Sequence, residues 1–231
     1  METIELLPTL HMLRFPVGSA YLWSDDDALT LIDSGSAGCA DDIAAAVREL
    51  GRDPADIRHI VLTHFHEDHT GAAADLRAAT GAAVLAHRLE APVVSGAVPG
   101  PPPVLREWEV PIRAGVPALP PAPPVTVDRE LEDGDTLDFG GGAEVLWTPG
   151  HTDGSIAVHL PGPGVLFTGD TAANVGRVMP GVFHTDPDRA LASYRRLAAL
   201  DAGTVCFGHG EPLRTGGCAA LRAADEPAAD G

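Results

Sequence analysis

Residues 59–87, HIVLTHFHEDHTGAAADLRAATGAAVLAH, hold a continuous apolar strand, a polar loop, a helix closed by Gly81 and a second apolar strand. Short apolar runs of this kind, alternating with a helix, are the pattern of layered α/β proteins. The upstream residues extend it. AYLWS and ALTLIDSG read as strands separated by the acidic turn Asp25-Asp26-Asp27. DDIAAAVRELG reads as a helix with acids at its front, Ile43, Val47 and Leu50 on one side, and Gly51 as its stop.

Residues 92–124 break the alternation. They contain eleven of the chain's 21 prolines, so neither a helix nor a central strand is expected to persist there. The segment reads either as a surface excursion of polyproline character or as a loop folded over a pocket mouth. In the second reading Val104, Leu105, Trp108 and Val110 supply an apolar wall. From residue 125 a second series begins with VTVDRELEDGDTLDFGG, AEVLWTPGH, SIAVHL and GVLFTGD, mostly strands joined by Gly and Pro turns. A helix follows in DPDRALASYRRLAAL, with Asp186 as N-cap and Pro187 at its first position. TVCFGHGEPL closes the series.

Composition removes several function classes. The net charge of −18 argues against a nucleic-acid groove. All fifteen basic residues are Arg, which excludes a Schiff-base or P-loop lysine. The three cysteines, Cys39, Cys206 and Cys218, are too scattered for a disulfide framework or a metal knuckle. No secretory leader or membrane-length apolar run is apparent, so a cytoplasmic chain without a membrane partner is expected.

The chemistry concentrates at strand ends. His64, His66, Asp68 and His69 crowd three imidazoles and a carboxylate into six positions after one strand, and both are usual ligands of zinc and related ions. His151, Asp170 and His209 each follow another predicted strand and are each preceded by Gly. Strand ends in layered α/β folds converge on a common crevice. Five histidines and two aspartates exceed the needs of one tetrahedral ion and suit two ions sharing a carboxylate. His11, His59, His87 and His159 lie in strands or at their ends and read as structural. His184 lies between the Asp170 loop and the last helix.

THFHEDHTG, TPGHTDGS, FTGD and GHG, in that order, resemble the metallo-β-lactamase superfamily of hydrolases, and LTLIDSG with Asp33 resembles its supporting upstream motif. The resemblance spans roughly residues 20–210. It implies a four-layer αββα sandwich. One domain is expected over residues 1–218, with the proline-rich 92–124 as an excursion and 219–231, mostly Ala, Asp and Glu with little to bury, as a disordered tail. The resemblance further implies two Zn2+ or other divalent ions. His64, His66 and His151 would hold one, Asp68, His69 and His209 the other, and Asp170 would bridge them. Asp33 would support a ligand histidine from behind, and His184 would contact substrate. A water shared by the two ions would become the hydroxide that attacks a carbonyl, with Asp68 orienting it and passing a proton to the leaving group.

Departures from known subgroups narrow the substrate. Position 170 is Asp where a major group of true β-lactamases carries Cys. Glyoxalase II enzymes add a helical C-terminal domain that binds glutathione, which is expected to be missing here. Quorum-quenching lactonases carry Tyr three residues after the bridging Asp, where this chain has Ala173. What remains is hydrolysis of a small ester, thioester or lactone, with a small molecule as the only partner and the oligomeric state open. The alternatives are a β-lactamase-like amide hydrolase and a persulfide-type dioxygenase, in which His64, His151 and Asp170 would hold one iron.

Overall fold

The computed structural model describes residues 1–225. Two sheets stack face to face. The first contains β1 (Glu2–Leu7), β2 (Leu10–Arg14), β3 (Ser19–Ser24), β4 (Leu29–Ile32), β5 (Ile57–Leu62), β6 (Ala83–His87) and β7 (Arg129–Leu131), in that spatial order. It is antiparallel from β1 to β4 and parallel from β4 to β7. The second sheet has the order β14 (Thr204–Cys206), β11 (Val165–Phe167), β10 (Ile156–Leu160), β9 (Ala143–Trp147), β8 (Thr136–Leu137), and β12 (Ala172–Asn174) and β13 (Val178–Pro180) pair separately.

Successive side chains of a strand face opposite ways, and here both faces are apolar because both are covered. In β3, Ala20 and Leu22 join an outer core with Leu31 and Ile60. There α1 (Ala40–Glu49) and α3 (Ala73–Thr80) contribute Ile43, Val47 and Leu76. Tyr21 and Trp23 turn the other way, into the core between the sheets, where they meet Val158 and Phe167. On the far side, Ala157, Leu166 and Val205 of the second sheet pack on Tyr194 and Leu197 of α6 (Pro187–Ala198) and on Leu221 of α7 (Gly217–Asp225). Helix, sheet, sheet and helix form the four-layer αββα sandwich that the sequence implies. Asp186 caps α6, its side chain accepting from the Arg189 amide at 3.1 Å, with Pro187 in the first turn as expected.

Three local expectations are corrected. The proline-rich segment does hold helix: α4 (Ala91–Val94) and α5 (Glu109–Gly115). Pro92 and Pro111 fall in the first turns, where backbone N–H groups have no acceptor inside the helix and a missing one costs nothing. Arg129–Leu131 pairs with β6 and completes the first sheet, so the chain crosses to the second sheet after it, at Asp133-Gly134-Asp135, and not at residue 125. The tail is not frayed from Ala219: α7 continues to Asp225, with Cys218 and Leu221 buried against α6 and the second sheet. Residues 226–231 lie outside the described residues. No helix among the described residues is long and apolar enough to cross a membrane.

Candidate metal centre

The seven side chains singled out at strand ends meet at one edge of the sandwich. The loop after β5 turns into the short helix α2 (Glu67–Thr70), bringing His64, His66, Asp68 and His69 round one point. His151 arrives from the turn between β9 and β10. Asp170 comes from the 3-10 turn after β11, and His209 from the loop after β14.

The distances divide the cluster in two. His66 Nδ1 lies 3.0 Å from both His64 Nε2 and His151 Nε2. Beside this triad, His209 Nε2 is 3.2 Å from Asp68 Oδ2, and His69 Nε2 is 3.6 Å from the same oxygen. Asp170 faces both groups. Its Oδ2 lies 3.6 Å from His151 Nε2 and 3.2 Å from His209 Nε2, while its Oδ1 lies 3.4 Å from His69 Nε2. Nitrogens held 2.0–2.1 Å from a tetrahedral ion stand about 3.3 Å apart, close to these spacings. Buried His69 Nε2 and Asp170 Oδ1 have no hydrogen-bond partner. The donor set therefore fits divalent cations.

Electrostatics sort the same groups. Burial, reinforced by the neighbouring imidazoles, holds His64 and His151 well below the ordinary histidine range, so each keeps a free lone pair. His209 is pushed up to about 10, chiefly by Asp170 and against its own burial. Burial also opposes charge on His69 and Asp68, but their neighbours prevail. Asp170, Asp68 and Asp33 hold His69 well above its usual value, and His69 and His209 bring Asp68 down to about 2. Without a metal, the second group is a cluster of imidazolium and carboxylate pairs.

Side chains behind the cluster set its tautomers. Asp33 accepts from the Thr63 amide and hydroxyl, both at 2.8 Å, and stands 2.8 Å from His69 Nδ1. With Asp33 accepting the Nδ1–H bond, Nε2 is the nitrogen of His69 left to face the site. Thr63 Oγ1 is also 3.0 Å from His64 Nδ1. The glycines before the distal ligands answer separate demands: a Cβ on Gly208 would overlap Asp170 Oδ1, whereas one on Gly150 would overlap the backbone of α6 at Ala190.

Two buried carboxylates went unread in the sequence. Glu90, 1% exposed, ties together the loops that carry His64, His66 and His151. It accepts from Phe65 N at 2.8 Å, Thr152 Oγ1 at 2.9 Å and Gly154 N at 2.8 Å. Burial raises it to about 7 although all three bonds favour its charged form. Glu109 accepts from the amides of Arg106 and Phe183. The only local signal for Glu90 is an acid set between a buried strand and Ala-Pro-Val-Val. His184 is buried, its ring 5.6 Å from that of His151. The other histidines stand apart; His87, for instance, stacks on Trp147.

The model of the metallo-beta-lactamase superfamily matches residues 13–209, a span that contains all seven candidate ligands together with Asp33, Glu90, Glu109 and His184. The chain belongs to the metallo-beta-lactamase superfamily. Within the superfamily it is similar to a hydroxyacylglutathione hydrolase of Fuscovulum blasticum, 37% identical over 154 residues, covering 65% of this chain and 47% of that protein. A hydroxyacylglutathione hydrolase of Ruegeria pomeroyi is 35% identical over 196 residues, covering 82% of this chain and 61% of that protein. The chain thus spans about half the length of the first of these curated relatives. Among solved structures it resembles a metallo-beta-lactamase with an HARLDQ motif from Cronobacter sakazakii. That match has a TM-score of 0.71 at 25% identity and covers 94% of this chain and 81% of that one.

Proposed function

We propose that this chain is a binuclear metal-dependent hydrolase acting on a small thioester, ester or lactone. The observation that carries the reading is Asp170, whose carboxylate faces both triads: Oδ2 stands between His151 of one and His209 of the other, and Oδ1 faces His69. His64, His66 and His151 would hold one ion, and Asp68, His69 and His209 the other. Two bound divalent ions, zinc or a related metal, would lower the pKa of water and polarise the scissile carbonyl.

The protein's own groups do the rest. Asp33 and Thr63 fix the ring orientations of His69 and His64. Glu90 keeps the two ligand-bearing loops in register. Asp68, held ionised, orients the attacking water and hands its proton to the leaving group. The side chain of His209 is 32% exposed and His66 is half-buried, against 0–4% for His64, His69 and His151, so substrate approaches across His66 and His209.

The names of the curated relatives favour a thioester over the other candidates. The test is a panel of a hydroxyacylglutathione, a simple thioester, an aryl ester and a lactone, assayed on metal-loaded protein. Metal-dependent turnover of at least one, best on a thioester, is expected. Inertness toward all four would contradict the proposal.

A further inference from the structure

Eight large apolar side chains are exposed among the described residues, and five of them fall within residues 98–112. That segment is pinned to the rim of the metal-ligand cluster at three places. Gly100 lies flat on the ring of Phe65, between His64 and His66, so closely that a Cβ there would overlap the ring. Val104 N donates to His184 O at 2.8 Å. Only Pro101, Pro102 and Pro103 separate these two anchors, a polyproline span of roughly 12 Å with little entropy left to lose.

The third anchor is Glu109. It is 2% exposed, and its Oε2 accepts from Arg106 N at 2.7 Å while Oε1 accepts from Phe183 N at 2.9 Å. Phe183 has φ +61, a left-handed conformation rare for a side chain of its size. The Arg113 guanidinium lies over its ring at 5.8 Å. One buried carboxylate thus fastens the strap to the loop that presents His184 beside His151.

The strap's side of the site also has a chemical meaning. A carbonyl under attack carries its acyl substituent and its leaving group in different directions. Asp68, which would protonate the leaving group, faces His69, His209 and the β2–β3 turn, where Gly18 comes close to its Oδ2. The strap instead touches Phe65, the chain neighbour of His64 and His66, and the backbone of His184, whose ring stands 5.6 Å from that of His151. We infer that the exposed Val104 and Trp108 form a subsite for an apolar acyl group, and that Glu109 is the positioning residue that holds this subsite against the His184 loop. The inference rests on the hydrolase reading above.

The test uses metal-loaded protein and thioesters of one thiol with acyl chains from acetyl to octanoyl. A fully buried methylene is worth about fourfold in affinity; on an open rim, the octanoyl-to-acetyl ratio of kcat/KM is expected to reach about tenfold or more. Trp108→Ala and Val104→Ser should each lower that ratio severalfold. Glu109→Gln, which replaces one acceptor oxygen by a donor, should lower it too and speed hydrogen exchange at the Phe183 amide, with metal content unchanged. A ratio identical in wild type and all three variants would overturn the subsite. If wild type hydrolyses no thioester, the hydrolase reading fails. The subsite is then judged by calorimetry, where octanoate must bind at least several times more tightly than acetate, and equal binding would overturn it.

Discussion

Asp33 Oδ2 lies 2.8 Å from His69 Nδ1 while Asp33 itself sits at φ +60. A left-handed aspartate costs backbone energy, and here it is held by its contacts: its amide donates to Val61 O and its carboxylate accepts from Thr63. The strained conformation places a carboxylate directly behind the ring of a candidate ligand. Asp33→Asn should therefore weaken metal affinity by about 10- to 100-fold, measured by competition with a chromophoric chelator. Affinity equal to wild type would separate Asp33 from the centre.

Asp68 is expected to divide binding from turnover. Asp68→Asn keeps the shape but removes the charge that handles the proton. Turnover should drop by roughly 10²–10⁴-fold with a much smaller change in KM. Steady-state kinetics on metal-loaded protein check this, and a loss confined to KM would speak against the role.

Glu90 makes stability depend on pH in an unusual direction. Burial raises its carboxyl from the ordinary 4.5 to about 7. Between these values the folded protein keeps a proton that the unfolded chain has released, so stability falls as pH rises through the window. The contribution is on the order of 3 kcal/mol across it. Urea unfolding of metal-free wild type and Glu90→Gln from pH 4.5 to 7.5 should show this slope in the wild type and a shallower one in the variant.

Gly208→Ala tests how tightly the last ligand loop approaches the cluster. The added methyl would overlap Asp170 Oδ1 and come within 2.8 Å of His69 Cε1. The variant should fold, as judged by circular dichroism, yet retain less metal after dialysis than wild type.

Much of this architecture is legible from local pattern. The runs at residues 59–64 and 82–87 are apolar on both faces because helices cover one side and the second sheet the other. HFHEDH marks candidate ligands because so much imidazole and carboxylate on one loop has little other use. Glu90 and Glu109 were not legible, since their partners Thr152 and Phe183 lie 62 and 74 residues away along the chain. The sheet membership of Arg129–Leu131 was also hidden: three residues after a proline-rich block show no periodicity, and only pairing with β6 defines them. Proline counting misled at α5, because what matters is a proline's position within the first turn.

The proposed binuclear centre depends on Asp170 being shared by two metal positions. The direct measurement is the metal content of wild type and Asp170→Ala, both purified without added metal, with hydrolysis assayed on the same samples. Near two divalent ions per chain in wild type, with reduced metal and no hydrolysis in a folded variant, is the predicted result. About one iron per wild-type chain, or near-wild-type turnover in Asp170→Ala, would contradict it.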